Sequence, residues 1–191
     1  MKLATYGSVF GDAWLDEPLV DHPRAGRLDR AARLAHAALA RLSLVALPGL
    51  GVFIGSEWGS FAANVEHADA LFSRGPSHVS PLTFPATVPS AVTAELAMTL
   101  GVNGPQVTVV APVSQLVDRL LATVRASLQA GDCEQALVGV VEAWHPRMAA
   151  LGLQRDSVDG AVLAWGEPSA WLVARPSVAS RATIGLLKSC Q

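Results

Sequence analysis

Side chains able to act as nucleophile, base or metal ligand are few and scattered along these 191 residues. Ser56 and Ser60 stand in the run Gly55-Ser56-Glu57-Trp58-Gly59-Ser60. A serine nucleophile on a strand-to-helix elbow needs G-x-S-x-G with an Asp–His pair behind it, and neither is formed here. A turn before a helix explains the run. Histidines 22, 36, 67, 78 and 145 fall in separate segments without HxH or HExxH spacing, so no metal site is expected and surface or capping roles are. Cys133 and Cys190 are far apart and form no CxxC, which gives neither a disulfide framework nor a thiolate metal site. Both thiols are expected to be free. Cys133 follows Gly131-Asp132 and enters a strand, a place for packing rather than attack. Glu142 and Glu167 have the chemistry of an acid–base pair, yet nothing in the sequence brings them together. Capping or a salt link is the expected role. No catalytic residue, metal or cofactor follows from this inventory.

The elements that position these residues are read from periodicity and punctuation. Lys2 to Phe10 reads as a strand. Gly26 to Leu42 is an Ala/Leu-rich helix with apolar residues at 28, 31, 32, 35, 38, 39 and 42. Gly51 to Gly55 reads as a buried strand, followed by a helix from about Gly59 to Phe72. Pro76 to Pro89 is a loop, because each proline removes a backbone donor and restricts its predecessor. Ala91 to Leu100 is helical and stops at Gly101, Gln106 to Ala111 is a strand, and Val113 to Ala130 is an amphipathic helix ending at Gly131. The face of Val113, Leu116, Val117, Leu120, Leu121 and Val124 is a core stripe. Gln135 to Ala143 is an apolar strand suited to a sheet covered on both faces. Gly160 to Trp165 and Ala170 to Ala174 read as an antiparallel hairpin around Gly166. Strands separated by helices argue for an α/β layered fold in one domain spanning 1–191.

Apolar residues make up 51% of the chain and charged ones 16%, enough for a sizeable core and unlike a disordered chain. A net charge of -2 and a pI near 6.2 give no bulk attraction to nucleic acid or anionic lipid. Pro48 and glycines 49, 51 and 55 interrupt the apolar run from Leu42 to Ile54, so no membrane span is expected. Met1 to Gly11 does not read as a secretory signal, and a cytoplasmic setting is the default expectation. The positive mean hydropathy of +0.36 favours burial of one surface against another subunit.

Three stretches, taken in order, resemble the β-ketoacyl synthase family of the thiolase-like fold. The first is Arg27-Leu28-Asp29-Arg30, then Gly51-Val52-Phe53-Ile54-Gly55-Ser56. The second is Val79-Ser80-Pro81, Phe84-Pro85 and Val88-Pro89, then Leu100-Gly101-Val102-Asn103-Gly104-Pro105-Gln106-Val107-Thr108-Val109. The third is Gly139-Val140-Val141-Glu142-Ala143 and Asp159-Gly160-Ala161-Val162-Leu163-Ala164-Trp165-Gly166-Glu167. Each motif is weak alone, and their order and spacing make the combination specific. The resemblance implies half of a thiolase-like fold, an α/β domain with a mixed sheet of about five strands flanked by helices.

In active members a strand of this kind leads to a Cys at the start of a buried helix, where the helix end lowers the thiol pKa and supplies backbone donors. The resemblance places Val113 at that position, after Thr108-Val109-Val110-Ala111-Pro112. Valine cannot form an acyl-enzyme, and Pro112 replaces a residue with a backbone N–H. The family's two later histidines belong to a second half that the chain is expected to lack. The chain is similar to inactive synthase-like subunits, the chain-length factors of type II polyketide assembly, and most of all to short ones that accompany aryl polyene synthases. That implies a heterodimer with an active β-ketoacyl synthase, with Val107, Thr108, Val109 and Val110 at the partner interface, and a transient acyl carrier protein partner. It also implies a tunnel for the growing chain, lined by Phe61, Asn64, Val65 and Ala68 on one helix and Pro112, Val113, Ser114 and Gln115 at the start of another. Phe61 is the preferred plug, since side-chain volume sets where a chain must stop. Two other readings stay open: an acyltransferase or thioesterase with a relocated nucleophile at Ser56, Ser114 or Cys133, and a homodimer that binds an acyl group or carrier protein.

Overall fold

The computed structural model describes residues 5–12, 25–42 and 48–166. Their apolar runs form five strands: β1 (Thr5–Phe10), β2 (Leu50–Ser56), β3 (Gln106–Val110), β4 (Gln135–Glu142) and β5 (Gly160–Gly166). They lie in one mixed sheet in the order β1-β5-β4-β2-β3. β3, β2 and β4 run parallel, while β5 is antiparallel to both β4 and β1. The expected α/β architecture is therefore present. The anticipated hairpin partner of β5, Ala170 to Ala174, lies outside the described residues, as do His22, Glu167 and Cys190.

The helices are α1 (Arg30–Ala40), α2 (Phe61–Arg74), α3 (Ala91–Leu100), α4 (Val113–Ala130) and the single turn α5 (Arg155–Val158). Alternation along the strands sorts the core into two layers. Val52 and Ile54 of β2 and Leu137 and Val141 of β4 pack with Leu34 and Ala38 of α1 and Val92 and Leu96 of α3. Phe53 of β2 and Ala136, Val138 and Val140 of β4 face the other way, onto Leu116, Leu120, Leu121 and Val124 of α4. β2 and β4 are thus covered on both faces, as the continuous apolar composition of 135–143 implies.

Helix ends follow local chemistry. α1 begins at Arg30 rather than near Gly26, because the Asp29 carboxylate accepts from Ala32 N–H at 2.9 Å as its cap, a contribution of about 1 kcal/mol. α2 starts at Phe61, two residues later than its apolar pattern suggests, because Gly59 takes φ +56°. α3 and α4 end on Gly101 and Gly131, both left-handed with φ of +62° and +75°, where glycine carries no Cβ penalty. The proline loop 76–89 folds as two short 3-10 turns, Pro76–His78 and Phe84–Thr87. His36 corrects the expectation of surface histidines: it lies on α1 and is buried. His78 is exposed and His145 caps the turn Pro146–Leu151, as expected.

Two long-range contacts bind the sequence motifs together. Arg30 donates through Nε to Asp159 Oδ1 at 2.8 Å and through Nη2 to Asp159 Oδ2. Asp159, buried, also accepts from Trp144 N–H at 3.1 Å and from Arg155 Nε at 3.1 Å. A buried carboxylate is tolerated only when its lone pairs are filled in this way. The second contact is backbone on backbone: a Cβ added to Gly104 would lie 2.2 Å from the Leu50 carbonyl oxygen, beside the bond from Val52 N–H to Pro105 O at 2.8 Å. Gly104→Ala is therefore expected to destabilise the fold by about 2 kcal/mol, since neither backbone can yield. Urea unfolding of the two proteins measures the difference.

Candidate functional site

β2, β3 and β4 are parallel, so their carboxyl ends meet at one edge of the sheet, where open α/β sheets form their crevices. Ser56 ends β2 beside Val110 of β3, and Glu142 ends β4. The chain leaves β2 through residues 57–60 into α2, and leaves β3 through Ala111 and Pro112 into α4. Both helices on which tunnel residues were placed therefore start from this edge.

Glu142 organises the turn between β2 and α2. It is buried, with one carboxylate oxygen accepting from Ser56 Oγ at 2.9 Å and from Trp58 N–H at 3.3 Å, and the other accepting from Glu57 N–H. Ser56 Oγ in turn accepts from Gly59 N–H at 2.7 Å. Burial pushes the Glu142 carboxyl up to about 7, and the three donors only partly offset it. The expected capping role is thus present for Glu142. Ser56 is engaged in this turn, and its partners among the described residues include no imidazole.

The candidate tunnel residues fall into two groups. Phe61 is half-buried and meets Trp58 edge to face, with centroids 5.8 Å apart and planes at 72°. Asn64 is tied down elsewhere: its Nδ2 donates to Ser60 Oγ at 2.9 Å and to Thr87 O at 3.1 Å, and Ser60 Oγ donates to Thr87 O at 2.6 Å. It fastens the proline loop to α2. Val65 and Ala68 are half-buried on the same helix. On α4, Val113 is half-buried as the first residue, while Pro112, Ser114 and Gln115 are exposed.

β3 lies at the edge of the sheet and pairs only with β2 among the described strands. Val107 and Val109 pack on the α4 layer, whereas Thr108 turns to the other layer and shares a 2.6 Å hydrogen bond with Thr93 of α3. Val110 is 49% exposed. Cys133 is buried, and burial pushes its thiol pKa up, which suits packing and not attack. No group of three or more metal-ligating side chains occurs among the described residues.

Sequence reasoning missed Glu57. Its Oε1 accepts from Val113 N–H at 2.9 Å, linking the start of α2 to the start of α4. The available signal was the lack of any Ser, Thr, Asp or Asn before α4, which leaves its first donors in need of an outside acceptor.

The Glu142 carboxyl rises from 4.5 to about 7 on folding, so the folded chain holds a proton that the unfolded chain releases. Its contribution to stability is full below about pH 4.5 and is lost as pH climbs through 7. Between pH 5 and pH 8 the wild type is expected to lose about 2 kcal/mol more than Glu142→Gln, which has no proton to release. Urea unfolding of both proteins at the two pH values reads the difference, and parallel pH curves would refute it.

A family model described as the β-ketoacyl synthase N-terminal domain matches residues 21–158. A search of curated protein sequences found no match. Among solved structures, the ishigamide ketosynthase/chain length factor aligns with TM-score 0.66 and 17% identity, over 91% of this chain and 55% of that one. A ketosynthase in complex with its chain length factor from Xenorhabdus doucetiae aligns with TM-score 0.68 and 16% identity, over 95% of this chain and 85% of that one. A type II PKS acyl-carrier protein in complex with its ketosynthase aligns with TM-score 0.60 and 16% identity, over 72% of this chain and 43% of that one. The chain thus spans only about half the length of the first of these. No helix among the described residues is long and apolar enough to cross a membrane. With the matched region running from α1 to α5 and covering well over half of the chain, the chain belongs to the β-ketoacyl synthase N-terminal domain family.

Proposed function

We propose that this chain is a non-catalytic ketosynthase-like subunit, a chain-length factor that pairs with an active β-ketoacyl synthase and shapes its acyl tunnel. The observation that carries the reading is Val113. It is the first residue of α4, at the position where family resemblance puts the nucleophile, and its isopropyl group can hold no thioester.

Pairing is supported by the edge strand and by what surrounds it. β3 has a strand on one side only among the described residues, and an exposed strand edge is a template for another strand. Leu82, Phe84, Val88 and Met98 are each at least 45% exposed and make up most of the exposed large apolar side chains among the described residues. They line one groove of about 540 Å³ between the proline loop and α3. That concentration fits burial against a protein partner better than lone exposure in water. The ketosynthase and chain length factor complexes that share this fold agree with the reading, and the acyl-carrier protein complex favours a carrier protein as transient partner. A single domain over 1–191 in the cytoplasm, with no nucleic-acid or membrane partner, belongs to the same proposal. Relocated nucleophiles at Ser56 and Cys133 are less well supported, since Ser56 is locked in a turn and Cys133 is buried.

Co-expression with an active β-ketoacyl synthase from the same source is expected to give a stable one-to-one complex by light scattering. Val110→Lys should weaken that complex at least tenfold while leaving the melting temperature of the isolated chain unchanged. A chain that stays monomeric, or pairs only with itself, would refute the reading. In the reconstituted complex, Phe61→Ala should shift the products to longer chains by mass spectrometry. An unchanged distribution would remove Phe61 from the tunnel wall.

A further inference from the structure

α4 is an 18-residue helix whose amino end has no side-chain cap of its own, because Pro112 stands at the cap position. The first turn of any helix leaves backbone donors without partners and carries a partial positive charge. Here one of those donors, Val113 N–H, is taken by Glu57, 56 residues earlier in the chain, at 2.9 Å. The aim of Glu57 is fixed from behind. Its own backbone N–H donates to the buried Glu142, and Ser56 O accepts from Ala111 N–H at 3.3 Å, which pins the two strand exits together.

We infer that Glu57 is a built-in occupant of the amino end of α4, a carboxylate seated where an acyl oxygen would otherwise be bound. The inference rests on the family correspondence at Val113, and concerns this chain whether or not it pairs with a synthase. An oxyanion is stabilised by backbone donors held ready for it, and a donor engaged by an internal carboxylate is not ready. A thiolate at a helix start gains from the local positive field, and a carboxylate at the same place cancels that field and repels a second negative charge. Two changes therefore separate this site from acyl transfer, the missing thiol and the added acid. Supplying the thiol alone leaves it closed. Glu57 is also a positioning residue, since it joins the start of α2, which carries Phe61, to the start of α4.

The test places a thiol at the site in the full chain. The rate of iodoacetamide alkylation at residue 113 is followed against pH by peptide mass in Val113→Cys and in Val113→Cys/Glu57→Gln. The single variant is expected to titrate above an ordinary cysteine. The double variant should titrate at least one unit lower and react about tenfold faster at pH 7. Equal profiles, or a low thiol pKa in the single variant, would overturn the inference. Amide hydrogen exchange at residue 113 gives a second readout that needs no thiol. Exchange should quicken in Glu57→Ala and stay slow in Glu57→Gln, which keeps an accepting oxygen. Unchanged exchange in Glu57→Ala would also overturn it. Both measurements use the chain alone, so their failure is distinct from a failure to pair with a synthase.

Discussion

A buried carboxyl group with three donors around it governs the edge of the sheet where the parallel strands end. Glu142 ends the central strand β4 and collects Ser56 Oγ and the N–H groups of Glu57 and Trp58. Burying a carboxyl group costs free energy unless its oxygens are hydrogen-bonded, so the turn has little freedom to rearrange while the sheet is intact. The direction of Glu57, the start of α2 and the packing of Trp58 on Phe61 all follow from that turn. A second filled carboxylate, Asp159, does the same work at the start of β5, where it takes Arg30 from α1 and Trp144 from the chain after β4. Two acids thus hold together segments more than 80 residues apart in sequence.

Much of the fold was legible because local rules and tertiary packing agree. The bounds of α3 and α4 were fixed by Gly101 and Gly131, where only glycine readily adopts the left-handed conformation that closes each helix. β4 was legible from an apolar run with no polar face, as a strand between two helical layers requires. The start of α2 was not, because the apolar pattern runs through Gly59 while its backbone does not. His36 was misjudged for a related reason: α1 buries a broader face than its apolar stripe marks, and the imidazole goes in with the alanines around it.

For the site, the order of motifs was enough to put Val113 at the head of a helix, and the structure has it there. It was not enough to find what meets Val113, because hydrogen bonds between distant turns leave no periodic trace. Asn64 illustrates the same limit. Its helical spacing from Phe61 and Ala68 suggested a shared wall, whereas its amide is spent on the Thr87 carbonyl and holds a loop. Spacing assigns a residue to a face of a helix, and the neighbours of that face decide its work.

β3 has its side chains committed to both layers, with Val107 and Val109 on α4 and Thr108 on Thr93. Because successive residues of a strand alternate in orientation, rotating β3 or slipping it by one position would put threonine among valines and break the hydroxyl pair. The backbone groups it turns outward are therefore always the same ones, spaced two residues apart. Any strand that docks there has to advance in steps of two. Such an edge therefore dictates the phase of whatever lies along it, before any side chain on the other side has a say.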